Sequence, residues 1–207
     1  MNITKFRHAC LLLEKDDQSL VVDPGQWSTD FVSPDNVVGV IITHEHDDHF
    51  YIEKLREIIE KNPNAEIIAH ESIIDQVRDL ANNLHPVNVG DSIICSNYNL
   101  RFTGGTHATI HPDFPVPTNL GVVIDDGELY YPGDSFVLPN CQVKVLAVPA
   151  SAPWMKIAEA MEFITNVKPV ECFSTHNAVL SKVGQDLADA WLRRAADLVG
   201  SKYIVKP

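Results

Sequence analysis

The chain has 207 residues, a length that one hydrophobic core can serve, so a single domain spanning 1–207 is expected. Apolar residues make up 45%, and no run approaches the roughly 20 apolar residues of a membrane span, which excludes a helical membrane protein. The formal net charge of −12 repels nucleic acid phosphates and anionic lipids, so neither nucleic acid nor membrane is an expected partner.

The first eight residues hold no apolar h-region, so no secretory signal is expected. Strands are predicted at 3–7, 10–14 and 20–23, with the polar turn Lys15-Asp16-Asp17-Gln18 between the last two. Cys10, Cys95, Cys141 and Cys172 are dispersed without a C-x-x-C pair and read as reduced thiols of a cytoplasmic protein. A Pro/Gly-containing loop over 24–36 leads to the β-branched run 37–42, which reads as a buried strand. Apolar residues then recur at helical spacing over 50–59, until Asn62-Pro63-Asn64 breaks the helix. A strand at 66–69, a helix at 72–84 and a hairpin of 93–96 with 99–103 follow. A second hairpin pairs 120–124 with 128–131 around Asp125-Asp126-Gly127. The chain closes with a strand at 143–148, a helix at 153–167 led by Pro153, a strand at 170–174, a helix at 185–199 and a last strand at 203–205. This pattern alone gives an α/β protein with much antiparallel sheet.

Between the buried strand and the first helix lies Thr43-His44-Glu45-His46-Asp47-Asp48-His49. Two histidines two residues apart in an extended segment point to one side, so His44 and His46 can grip one cation. Asp48 and His49 lie across the turn into the helix and would face a second position beside the first. One ion rarely takes all four groups and leaves room for substrate. Two divalent ions roughly 3.5–4 Å apart would, as in known hydrolytic sites. Glu45 and Asp47 are expected to face outward or to cap the helix.

This motif resembles the metal-binding signature of the metallo-β-lactamase superfamily. Gly104-Gly105-Thr106-His107, Tyr131-Pro132-Gly133-Asp134 and Ser174-Thr175-His176 follow in the family's order, so the resemblance spans nearly the whole chain. It implies a four-layer αβ/βα sandwich of two mixed, largely antiparallel sheets with helices on the outer faces. It also implies a ligand partition: His44, His46 and His107 on one ion, Asp48, His49 and His176 on the other, and Asp134 bridging together with a hydroxide. Asp48 and Asp134 are then the candidate catalytic carboxylates. The expected activity is hydrolysis of a small ester, lactone or phosphodiester. Two divalent ions are expected, with Zn2+ suited to the mixed donors and Mn2+ or Fe2+ also compatible. A non-catalytic metal-binding or sensing domain is the alternative; a bare structural site, however, is closed and needs only four ligands.

The opening from Ile3 to Glu14, followed by Val21-Val22-Asp23-Pro24-Gly25, resembles the small zinc-dependent hydrolase branch that includes ascorbate-phosphate lactonase-like enzymes. Around the ligands, Asp23 is a candidate to orient a histidine, and His8 to lie near the site. His111, Lys156 and Lys182 are candidate substrate contacts. Trp27, Phe31, Phe114, Phe136 and Trp154 are candidate pocket walls. His70 and His85 read as structural or surface residues.

Overall fold

A computed structural model describes residues 1–206. The first sheet has six strands in chain order: β1 (Asn2–Phe6), β2 (Cys10–Lys15), β3 (Gln18–Val22), β4 (Val37–Ile42), β5 (Glu66–Ala69) and β6 (Leu84–Pro86). The second has seven: β7 (Ser92–Cys95), β8 (Tyr98–Gly104), β9 (Leu120–Ile124), β10 (Leu129–Tyr131), β11 (Val145–Pro149), β12 (Glu171–Thr175) and β13 (Lys202–Tyr203), again neighbours in sequence order. Each sheet begins with antiparallel hairpins and ends in parallel strands. The parallel halves need crossovers, and helices supply three of them. These are α1 (Ile52–Lys61) between β4 and β5, α3 (Ile157–Val167) between β11 and β12, and α4 (Lys182–Leu198) between β12 and β13. The four-residue α2 (Glu71–Ile74) lies between β5 and β6.

Strand alternation sorts the side chains into layers. Leu11, Leu13, Leu20 and Ile41 of the first sheet meet Tyr98, Phe102, Val122, Tyr131 and Phe173 of the second in a central core. The opposite faces carry Cys10, Leu12, Val40 and Ile42, which pack on Leu55, Ile58 and Ile59 of α1. Likewise Tyr130, Leu146, Val148 and Cys172 pack on Phe163 of α3 and Leu192 of α4. Sheets buried on both faces explain why these strands read as nearly continuous apolar runs. The arrangement is a four-layer αβ/βα sandwich. Among the described residues, no helix is long and apolar enough to cross a membrane.

The structure departs from the expected elements in three places. The helix expected over 72–84 leaves helical geometry after Ile74. Gln76, Val77 and Leu80 instead donate to carbonyls three residues back, a chain of tight turns. Ile73, Ile74 and Val77 are still buried, so the apolar spacing located the packing face but not the backbone type. The end of that segment is β6, a three-residue edge strand closed by Pro86, too short to register as a period-two pattern. Finally, α3 starts at Ile157, not at Pro153, and the Pro-led segment before it is a turn that holds Trp154.

Candidate metal centre

The functional side chains cluster at the carboxyl ends of strands from both sheets. The turn after β1 supplies His8, the end of β3 supplies Asp23, and the loop after β4 supplies His44, His46, Asp48 and His49. From the second sheet come His107 after β8, Asp134 after β10 and His176 after β12. Two sets of four donors form there. One is His44, His46, His107 and Asp134; the other is His8, Asp48, His49 and His176; within each, the donor atoms lie within 4.8 Å of one another. Asp134 joins the sets. Its Oδ1 lies 3.1 Å from His49 Nε2, and its Oδ2 lies 3.3 Å from His107 Nε2 and 3.0 Å from His176 Nε2. Asp48 Oδ2 is 3.2 Å from His176 Nε2 and 3.8 Å from His49 Nε2.

Seven buried side-chain polar atoms lack an aligned hydrogen-bond partner among the described residues. Five of them are Nε2 of His44, His49, His107 and His176, and Oδ1 of Asp134. Buried polar atoms are rarely left so, and here five converge on one place. The donor set is also right for a divalent cation: imidazole nitrogens and carboxylate oxygens.

The family model for the beta-lactamase superfamily domain matches residues 2–176. The chain belongs to the metallo-β-lactamase superfamily. This member is 35% identical over 211 aligned positions to protein Rv0786c of Mycobacterium tuberculosis, covering all of this chain and 97% of that one. It is 28% identical to a UPF0173 metal-dependent hydrolase of Flavobacterium johnsoniae over 65% of this chain and 62% of the relative. Its fold matches the metallo-beta-lactamase fold protein YhfI of Bacillus subtilis with a TM-score of 0.70 at 19% identity, over 96% of this chain and 88% of that one.

In this metallo-β-lactamase superfamily chain, a buried set of acceptors points the imidazoles inward. Fully buried Asp23 accepts from Thr43 N–H at 2.8 Å, from the Thr43 hydroxyl at 2.7 Å and from His49 Nδ1 at 2.6 Å. Thr43 has given its one hydroxyl proton to Asp23, so its oxygen accepts from His44 Nδ1 at 3.0 Å. His176 Nδ1 donates to the Ser151 carbonyl at 2.7 Å, and His107 Nδ1 to the Ala108 carbonyl. All four rings therefore use Nδ1 as donor and turn Nε2 to the centre. Trp154 Nε1 donates to Asp134 Oδ2 at 2.9 Å. Asn119 clamps the Pro132-Gly133-Asp134 turn, accepting from Asp134 N–H and donating to the Pro132 carbonyl, both at 2.9 Å. Gly133 is needed there. Its φ is +61°, and a Cβ would lie 2.2 Å from the Asn119 amide oxygen.

Burial and charge divide the groups. Burial lowers the pKa of His44 well below the usual imidazole value, and His46 is lowered by the same cause. Burial also works against charge on His176, but the Asp134 and Asp48 carboxylates outweigh it and raise its pKa to about 9. His49 is raised well above the ordinary value despite burial, by Asp134 and Asp23. Asp48 and Asp134 stay well below the carboxylate range, because nearby imidazoles overcome their burial. Without cations, the Asp134, Asp48 and Asp23 carboxylates favour the imidazolium forms of His49 and His176.

The remaining expected residues divide. His8 lies inside the site and is fully buried. His111 sits in the loop after His107 with a 56% exposed side chain and belongs to neither set. Lys156 is the exposed N-cap of α3, its backbone N–H donating to Glu159 at 2.6 Å. Lys182 is exposed and paired with Asp186 at 2.7 Å. Glu45 and Asp47 are exposed, and α1 has no side-chain N-cap. His70 caps α2 by accepting from Ser72 N–H, and half-buried His85 lies 3.2 Å from Glu66. Among the aromatics, Trp27 and Trp154 flank the centre, with rings 4.7 Å from His8 and 5.9 Å from His107. Phe31 is a correction: it is 3% exposed and packs on Phe6 in the core under α1. Phe136 packs against Trp154 and Phe163. The sequence did not reveal Asn119, Lys5 or the Ser151 carbonyl. Asn119 and Lys5 are buried polar residues, Ser151 acts through its backbone, and all three find partners far along the chain.

Proposed function

We propose that the protein is a metal-dependent hydrolase acting on a small ester, lactone or phosphodiester at a dinuclear centre. One observation carries the reading: five buried ligand atoms without an aligned hydrogen-bond partner, drawn from both sheets, converge on a single centre. The name of the Flavobacterium johnsoniae relative, a metal-dependent hydrolase, supports it. His44, His46 and His107 would hold one ion, and Asp48, His49 and His176 the other. Asp134, whose two oxygens face imidazoles of both sets, would bridge them. Bound there, divalent ions would make water a nucleophile near neutral pH and polarise the bond under attack. The donors suit Zn2+, and Mn2+ or Fe2+ are compatible.

The chain's own residues supply the rest. Asp23 keeps His49 and, through Thr43, His44 in the ligating tautomer. Asp48 and Asp134 remain ionised at neutral pH, ready to hold a cation. Trp27 and Trp154 offer apolar walls beside the centre. The test is elemental analysis of metal-loaded protein, with turnover of bis(p-nitrophenyl) phosphate, p-nitrophenyl acetate and simple lactones. Two ions per chain and turnover of at least one substrate are expected, with Asp134→Ala lowering turnover by at least about 100-fold. Tightly held metal with no turnover on any of the panel would overturn the hydrolase reading.

A further inference from the structure

The turn Arg7-His8-Ala9, between β1 and β2, is fastened to the segment that follows β12. The His8 carbonyl accepts from His176 N–H at 2.8 Å. The buried Lys5 ammonium donates to the Arg7 carbonyl at 2.6 Å and to Asn177 Oδ1 at 3.1 Å. His8 Nδ1 receives Ala178 N–H at 3.2 Å. That last contact fixes the tautomer. A backbone N–H can only donate, so Nδ1 is the acceptor and the ring proton of neutral His8 sits on Nε2. This Nε2 faces Asp48 Oδ2 at 3.1 Å. A protonated nitrogen has no lone pair for a cation. His8 is thus the reverse of His44, His49, His107 and His176, whose Nδ1 donates outward and whose Nε2 turns to the centre, where a cation can replace any proton it carries.

We propose that His8 is a positioning residue for the second metal position, its Nε2–H holding the Asp48 carboxylate toward His49 and His176. The proposal rests on the dinuclear reading above and deepens it. Asp48 lies on the loop after β4 with a 15% exposed side chain, so it has solvent to rotate toward once this bond is lost. Its other close polar neighbours are the imidazoles of the same position, His176 Nε2 at 3.2 Å and His49 Nε2 at 3.8 Å; a cation that takes both of them leaves the His8 bond as the contact that orients the carboxylate.

The experiment is titration of the full-length metal-free protein with Co2+, followed by visible absorption and chelator competition. Wild type is expected to take up two ions. His8→Phe keeps the ring and loses both hydrogen bonds. It should bind the first ion as wild type does and the second about 10–100-fold more weakly. His8→Gln, which keeps a donor near the Nε2 position, should bring the second ion back to within about threefold of wild type. In an Asp48→Ala background, His8→Phe should change the affinity of the second ion by less than about twofold, because the bond it removes is already gone. Should His8→Phe fail to fold by circular dichroism, His8→Asn serves in its place, too short to reach Asp48. Unchanged uptake of the second ion by His8→Phe overturns the proposal. So does an undiminished effect in the Asp48→Ala background, which marks a merely structural role. Failure of His8→Gln to rescue does the same. Wild type binding fewer than two ions instead overturns the dinuclear reading itself.

Discussion

Asp23 lies outside both donor sets, yet it decides where two of their rings point. Its two oxygens take three protons in a fully buried place, from Thr43 twice and from His49 once. Asp23→Ala strands the Thr43 N–H and the His49 Nδ1–H without acceptors, at about 1–3 kcal/mol for each buried group. We expect it to lower unfolding stability by a few kcal/mol in urea melts, and metal affinity by about 10–100-fold in chelator competition. Stability and affinity near wild type would show that Asp23 does not set these rings. The aspartate was legible in sequence because it ends a strand just before Pro24-Gly25, and in the sheet that end lies beside the end of β4, where the histidine motif begins. Asn119 was not: its clamp on Asp134 spans fifteen residues with no local pattern to mark it. The charge state of the rings gives a second expectation. His176, raised to about 9, is protonated at pH 7 without metal, and Asp134 and Asp23 shift His49 in the same direction. Ligation needs both neutral, so metal binding at pH 7 should release at least about one proton per chain. Calorimetry in buffers of different ionisation enthalpy counts them, and no release would contradict this charge assignment.

Elements act on the centre through how closely they pass. Gly25, in the loop after β3, lies against the peptide that joins Asp48 to His49; a Cβ there would sit 1.8 Å from the Asp48 carbonyl oxygen. Its backbone φ is not in the left-handed region, so only space demands glycine. Gly25→Ala must push the 48–49 peptide away, and we expect loss of the second bound ion in elemental analysis while the first remains. Leu192 of α4 offers the contrast. It is fully buried between helix and sheet on the outer face. Leu192→Ala should cost about 2–5 kcal/mol in urea melts and leave metal stoichiometry unchanged. A changed stoichiometry would mean the outer layer is coupled to the site. The same packing explains what the sequence revealed. Strands buried on both faces announced themselves as apolar runs, and most lie within two residues of their expected places. The segment after β5 did not, because its apolar side chains bury themselves at helical spacing from a backbone made of turns.

At the scale of the molecule, the centre is where the two sheets meet. The first sheet brings His44, His46, Asp48 and His49, and the second brings His107, Asp134 and His176. Ions held between them would bind only the folded chain, so metal should stabilise the whole structure by mass action, about 2.7 kcal/mol per site at one hundred times Kd. The pH dependence of that gain has a definite sign. His176 is raised from an unfolded value of 6.5 to about 9. Its contribution to the metal-free fold is therefore complete below pH 6.5 and is lost as pH rises through about 9. Metal affinity moves the other way over the same interval, because each step removes a proton that competes with the ion. The difference in melting temperature between metal-loaded and metal-free protein should therefore widen from pH 6.5 to 9. Differential scanning fluorimetry at fixed free Zn2+ measures it. A difference that stays flat or narrows over that range would break the link between the imidazolium charges and the cations proposed to replace them.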